Sequence, residues 1–303
     1  MTPVKWVYSF LEKYRYKMAA GLLMVTGIAL LTIVNPYISG RIVDDVITGG
    51  NYKLLPVLIG CLLGVVALKG ILRYASQVMF EICSQGVLYS MRDAVYRKLL
   101  QEDFSFYNKN RTGDLMSRQT GDMDAIRHFI AYIIYSVYEN ILLLSFALIM
   151  IFTVNVKLAL AMLVVLPFTA LTTYGQSKSV RPAFMKIRQQ FSSLNTFVQE
   201  NISGNRVVKA FAREDFEIEK FNKENDAYRD AELNAAAIWK KYVPIFEFLS
   251  NILTVVLMLY GGYMVIQGEI TMGNLVTVNG YLWMLTVPLR MAGWWINDIH
   301  RFT

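Results

Sequence analysis

Six apolar stretches, each close to the ~20 residues that a helix needs to cross a hydrocarbon core, partition the chain. They run over residues 18–42, 54–80, 130–153, 156–174, 243–266 and 275–296, and they predict an all-α membrane protein with six transmembrane helices. Composition agrees, with 55% hydrophobic and 17% charged residues against about 25% charged in soluble domains. The first run is too long for a cleaved signal and follows a patterned stretch rather than a short basic tip.

Lys and Arg set the expected orientation. Of the 30, 24 precede the first run (Lys5, Lys13, Arg15, Lys17), lie in the long connections 81–129 and 175–242, or follow the last run. The short connections and their edges carry only Arg41, Lys53 and Lys157. Both termini and both long connections are therefore expected in the cytoplasm, in a multi-pass protein of a bacterial cytoplasmic membrane. Residues Val4, Val7, Leu11, Tyr14 and Met18 repeat at three and four, so 1–17 is expected to lie on the inner leaflet as an amphipathic helix, the alternative being a frayed tail. Residues 18–303 then form the six-helix domain.

The net charge of +7 does not mark a nucleic-acid binder, because twelve basic residues between 175 and 241 are interleaved with nine acids. Cys61 and Cys83 have no metal-ligand spacing, and His128 and His300 stand alone, so neither a catalytic nor a metal site is expected. Asp44 and Asp45 read as a cap or a solvated loop at the outer mouth. Asn201-Ile202-Ser203 fits a glycosylation pattern by chance, since it falls on the cytoplasmic side.

The polar connections are the informative part. Phe184, Ile187, Phe191, Leu194 and Val198 follow a coiled-coil-like seam, so the fourth span is expected to continue into the cytosol. A helix over 156–208 would be about 80 Å long, with bends at Pro167 and Pro182. Such hairpins read as levers. Their tips, 102–111 and 211–221, are each expected to form a short helix lying across the end. Phe104, Phe106 and Tyr107 at one tip, and Phe211 and Phe216 at the other, imply a docking partner.

Inside the spans, polar residues fall in stripes. The second run carries Lys69, Arg73, Gln77 and Glu81, the fifth Glu247, Asn251 and Thr254, and the last Asn279, Trp283, Thr286, Arg290, Trp294 and Asn297. Such stripes either line a route for large amphipathic solutes or satisfy one another between helices. Glu139 and Asn140 in the third run fit either role.

At these residues the chain resembles the transmembrane half of an ATP-binding cassette exporter of the type IV (multidrug and lipid exporter) architecture. Residues 106–118, Phe-Tyr-Asn-Lys-Asn-Arg-Thr-Gly-Asp-Leu-Met-Ser-Arg, are similar to that family's first intracellular loop, and 121–127 to its continuation. Residues 194–200, 204–211 and 213–215 are similar to its second loop; 36–44 and 268–275 through 288–290 match within the first and last spans. The resemblance implies a homo- or heterodimer of half-transporters that carries an amphipathic small molecule, lipid or peptide out of the cell. It implies that Phe104, Ser105, Phe106, Tyr107 and Asn108, and Phe211, Ala212, Arg213, Glu214, Asp215 and Phe216, couple to nucleotide-binding domains.

No G-x-x-x-x-G-K-[ST] phosphate loop occurs, so the chain itself is not expected to be an ATPase, and ATP and Mg belong to a cassette expected after Thr303. The chain is then part of a longer polypeptide or of a split transporter. The rival readings are a passive six-helix channel and a receptor with a cytoplasmic coiled coil. Neither a broken span nor a large outer loop is present to favour them.

Overall fold

The computed structural model describes the backbone of residues 3–302 and side chains from Lys5 to Trp295. No strand occurs among the described residues. Five continuous helical rods are long and apolar enough to cross a membrane: Lys5–Thr48, Tyr52–Gln101, Thr112–Val154, Val156–Ala210 and Glu214–Ile266. The sixth apolar run lies in a helix whose Asn274, Thr277, Asn279 and Gly280 dilute its apolar content, and it is not among these five. The chain divides into two compact units.

The first unit takes the chain up to Leu166 and from Ile252 onward. It opens with α1 (Pro3–Leu11), a 3₁₀ turn at Glu12–Tyr14, and α2 (Arg15–Arg41), which continues as a π-helical stretch, Ile42–Thr48. Helix α1 is set apart by that turn and held by burial of Val7 against Val87, Leu88 and Met91. Those three belong to α3 (Leu55–Gln101). Tyr14 occupies the space beside Gly86, where a Cβ would strike its hydroxyl.

After the first tip, α4 (Phe104–Lys109), α5 (Thr112–Ser117), α6 (Met123–His128) and α7 (Ile134–Val154) follow. Two π-helical turns, Arg118–Asp122 and Phe129–Ile133, join α5, α6 and α7 into one rod. Asn155 alone makes the turn into α8 (Val156–Leu163): its backbone is extended and its Oδ1 accepts the amides of Lys157 at 2.8 Å and Leu158 at 3.3 Å. That capping replaces two of the bonds that the new helix lacks. A break at Val164 follows, where Pro167 withholds the amide that the Leu163 carbonyl would have accepted.

At the other end of the unit, a π-helical turn, Leu257–Gly261, leads to α11 (Gly262–Ile266), and α12 (Met272–Phe302) follows. Helix α12 packs on α2 and α7, and its Val278, Tyr281 and Leu285 are buried. The Tyr281 hydroxyl donates to the Ile33 carbonyl at 3.1 Å. Gly40 meets Gly273 so closely that a Cβ on either would collide with the other's carbonyl. Only glycine permits that backbone approach.

The second unit, Pro167–Asn251, holds most of α9 (Val165–Ala210) and α10 (Glu214–Val256). Of the expected seam on α9, Ile187, Leu194 and Val198 are half-buried, joined by Gln190 and Phe197, whereas Phe184 and Phe191 lie toward solvent. The Phe191 ring still reaches Tyr228, with centroids 5.7 Å apart. Helix α10 carries its own heptad: Glu224, Tyr228, Ala231, Ala235, Ile238 and Tyr242 are its covered face, alternating four and three apart. Small Ala231 and Ala235 are its most buried members.

Candidate functional site

The first tip is built around Asp103. Its carboxylate accepts the Ser105 hydroxyl at 2.8 Å and the Phe106 amide at 3.0 Å, which caps α4. These two bonds, the hydroxyl first, hold the Asp103 carboxyl below its ordinary range. The Tyr107 hydroxyl donates to the Leu99 carbonyl at 2.6 Å and ties α4 back to the end of α3. Phe106 and Tyr107 pack edge to face, and Phe104 is 89% exposed. Ser105 and Asn108 are also exposed. A single short helix thus presents an unpaired ring on a rigid support.

The second tip differs from the expectation of a separate crosswise helix over 211–221. Phe211, Ala212 and Arg213 form a turn, and Glu214 opens α10 directly. The Arg213 amide reaches the Val208 carbonyl at 3.0 Å and the Ala212 amide reaches Lys209 at 3.3 Å, a Schellman ending with Ala212 at φ +48°. Glu214, Asp215 and Glu217 then occupy the first turn of α10, where negative charge favours the helix start. Nothing between 214 and Pro244 interrupts it. Phe211 is 74% exposed, and the Phe216 ring carries Lys220 Nζ at 4.5 Å from its centroid.

Within the first unit a cavity of ≈ 400 Å³ opens between α3, α7 and α12. Lys69, Arg73 and Gln77 form its α3 wall; Tyr135, Ser136, Glu139 and Asn140 form its α7 wall. Thr32, Tyr132, Leu143 and Trp283 complete it. Arg73 and Glu139 face each other as a bidentate pair, Nη1 to Oε2 at 2.6 Å and Nη2 to Oε1 at 2.5 Å. Glu139 is 8% exposed, so its charge depends on that fork for compensation.

Of the polar stripes, the structure gathers Lys69, Arg73, Gln77 and Trp283 around this cavity, with Glu139 and Asn140. Glu81 turns instead to α6, where Arg127 bridges it at 3.3 Å and Asp124 at 2.7 Å. On α12, Asn279, Trp283, Arg290 and Trp294 are exposed and Thr286 half-buried, the face opposite Val278, Tyr281 and Leu285. Thr254 is half-buried in the first unit; Glu247 and Asn251 are exposed in the second. Asn297 falls outside the described side chains. Sequence reasoning missed Tyr132, Tyr135 and Ser136, although Tyr132, Ser136, Glu139, Asn140 and Leu143 already stood at helical spacing.

The ABC transporter transmembrane region family matches residues 18–289. The Bacillus subtilis protein named uncharacterized ABC transporter ATP-binding protein YknU is 37% identical over 288 residues, 94% of this chain and 48% of that one. An ATP-dependent lipid A-core flippase of Syntrophus aciditrophicus is 27% identical, over 91% of this chain and 46% of its own. A multidrug resistance-like ATP-binding protein MdlA of Buchnera aphidicola is likewise 27% identical, over 98% and 51%. The chain spans about half the length of the curated relatives it matches.

Proposed function

The chain belongs to the ABC transporter transmembrane region family, and from that premise we propose that it is the membrane-embedded half of an ATP-driven exporter. The observation that carries this reading is a family match over residues 18–289, which takes in both polar tips as well as the apolar helices. Relatives named as a lipid A-core flippase and a multidrug resistance-like protein support a lipid or drug as the solute.

In this reading α12 is the sixth crossing, α1 rests on the inner leaflet, and both termini face the cytoplasm. Two such halves, identical or not, enclose a central cavity. The outward-facing stripe of α12 supports that arrangement, because polar groups on a membrane helix need a partner or a wet space. Residues 104–108 and 211–216 couple to nucleotide-binding domains, and the exposure of Phe104 and Phe211 supports it.

In this reading ATP and Mg are held by the nucleotide-binding domain that partners this chain, since no phosphate-loop motif occurs in the sequence. This chain transmits: a displacement imposed at α4 or at the 211–213 turn is carried along stiff helices to the membrane. The work it delivers is bounded by the partner's differential affinity for the two states.

The test is transport in proteoliposomes with the nucleotide-binding domain supplied. Phe211→Ala with Phe216→Ala is expected to keep expression and ATP binding while uncoupling hydrolysis from export, since each buried ring is worth roughly 1.5–3 kcal/mol. Parental transport per ATP in the double variant would refute the coupling role.

A further inference from the structure

One charge in the cavity between α3 and α7 lacks a counter-charge. Its lining carries two cations, Lys69 and Arg73, against one carboxylate, Glu139, and so bears a single net positive charge. Arg73 and Glu139 satisfy each other through both oxygens. Lys69 lies one turn from Arg73 on the same wall, half-buried within the apolar run 54–80. Among the described residues its ammonium has no ion-pair or hydrogen-bond partner. An ammonium at such a place is costly to leave unmet.

The remaining walls supply the other half of a recognition site. Tyr132 and Tyr135 stand edge to face at 5.6 Å, Trp283 adds a third aromatic surface, and Ser136 and Asn140 bring polar atoms. The volume, ≈ 400 Å³, is of small-molecule size.

We infer that this cavity takes an amphipathic solute bearing one anionic group, a phosphate, sulfonate or carboxylate, which lies against Lys69 while its apolar body lies against Tyr132, Tyr135 and Trp283. A cationic head would meet Lys69 unfavourably and would find Glu139 already saturated by Arg73. The inference rests on the exporter reading only in treating the occupant as transported.

The test is calorimetry on the chain in phosphatidylcholine nanodiscs, with empty discs subtracted. The probes are decyl phosphate, decyltrimethylammonium with the same tail, and inorganic phosphate. Decyl phosphate is expected to bind about tenfold or more tightly than the ammonium. Lys69→Gln should remove that preference by weakening decyl phosphate about tenfold, and Lys69→Arg should keep it. Glu139→Gln, which frees a second cation, should tighten decyl phosphate.

Equal affinity for the two heads, or Lys69→Gln binding as tightly as the parent, overturns the inference. Inorganic phosphate binding as well as decyl phosphate overturns the amphiphile assignment. Binding needs no nucleotide-binding domain, so the outcomes separate. Export without this charge preference removes the cavity inference alone, and the preference without export removes the exporter reading alone.

Discussion

Asp44 caps the helix in which Gly273 lies from 229 residues away: its Oδ1 accepts the Gly273 amide at 2.7 Å, and its Oδ2 accepts the Thr271 hydroxyl at 2.5 Å. The carboxylate thus sits at the positive end of α12, and the neighbouring Asp45 is taken up by Arg41 at 2.8 Å. Asp44→Ala is expected to lower stability by about 1 kcal/mol, with Asp44→Asn retaining most of it. Thermal unfolding in detergent checks the order parent, Asn, Ala.

The Arg73–Glu139 pair predicts a non-additive cycle. Arg73→Leu leaves a buried carboxylate alone and should cost roughly 2–3 kcal/mol, the low side of such losses because Arg73 keeps 34% of its side chain exposed. The double variant Arg73→Leu with Glu139→Leu should be more stable than Arg73→Leu alone. Melting temperatures of the four proteins decide it.

Ala212 adopts φ +48°, where a Cβ is unfavourable by about 1 kcal/mol relative to glycine. Ala212→Gly should therefore stabilise the α9–α10 hairpin, seen as slower amide exchange at Phe211 and Arg213. Ala212→Val should accelerate it.

Asp103 gives a pH signature at the first tip. Its carboxyl is held low by Ser105 and Phe106, so the cap's contribution is complete above the ordinary aspartate range and is lost as the pH falls through the lower folded value. The Phe106 amide nitrogen shift, followed by NMR, should titrate with a midpoint below that of a free aspartate. Asp103→Asn should abolish the titration and keep α4.

Orientation is tested by single cysteines in a Cys61→Ser, Cys83→Ser background. Impermeant maleimide should label positions 51 and 269 from outside intact cells and miss 109 and 213, following the 24-to-3 split of basic residues. The reverse pattern rejects it.

Much of this architecture is written in one-dimensional pattern. Long apolar runs fix the rods, and the aromatics of 104–107 stood out because a solvated turn does not need them. Where apolarity is diluted the pattern weakens: α12 reads as a span in sequence only by tolerance of its Asn and Gly residues. The α9 seam holds at Ile187, Leu194 and Val198 but not at Phe184 and Phe191, since a hydrophobic count cannot tell a covered ring from an exposed one. The α10 heptad was illegible, since its key members are alanine, tyrosine and glutamate. Ala212 gave no warning at all, because glycine is the residue that marks such an ending. The Arg73–Glu139 fork joins two helices, and no single-helix periodicity can reveal it.

The close meeting of Gly40 with Gly273 sets a schedule for biogenesis. A ribosome adding about 5–20 residues per second delivers the second glycine on the order of 10–50 s after the first. Throughout that interval Gly40 lacks the backbone it meets and Asp44 the helix it caps. The packing of α2 on α3 and α7 can precede that step, and the contact with α12 is added to it. A nascent chain arrested before α12 would leave the Asp44 carboxylate without the Thr271 hydroxyl and the Gly273 amide, so the capped state of Asp44 reports that α12 has docked.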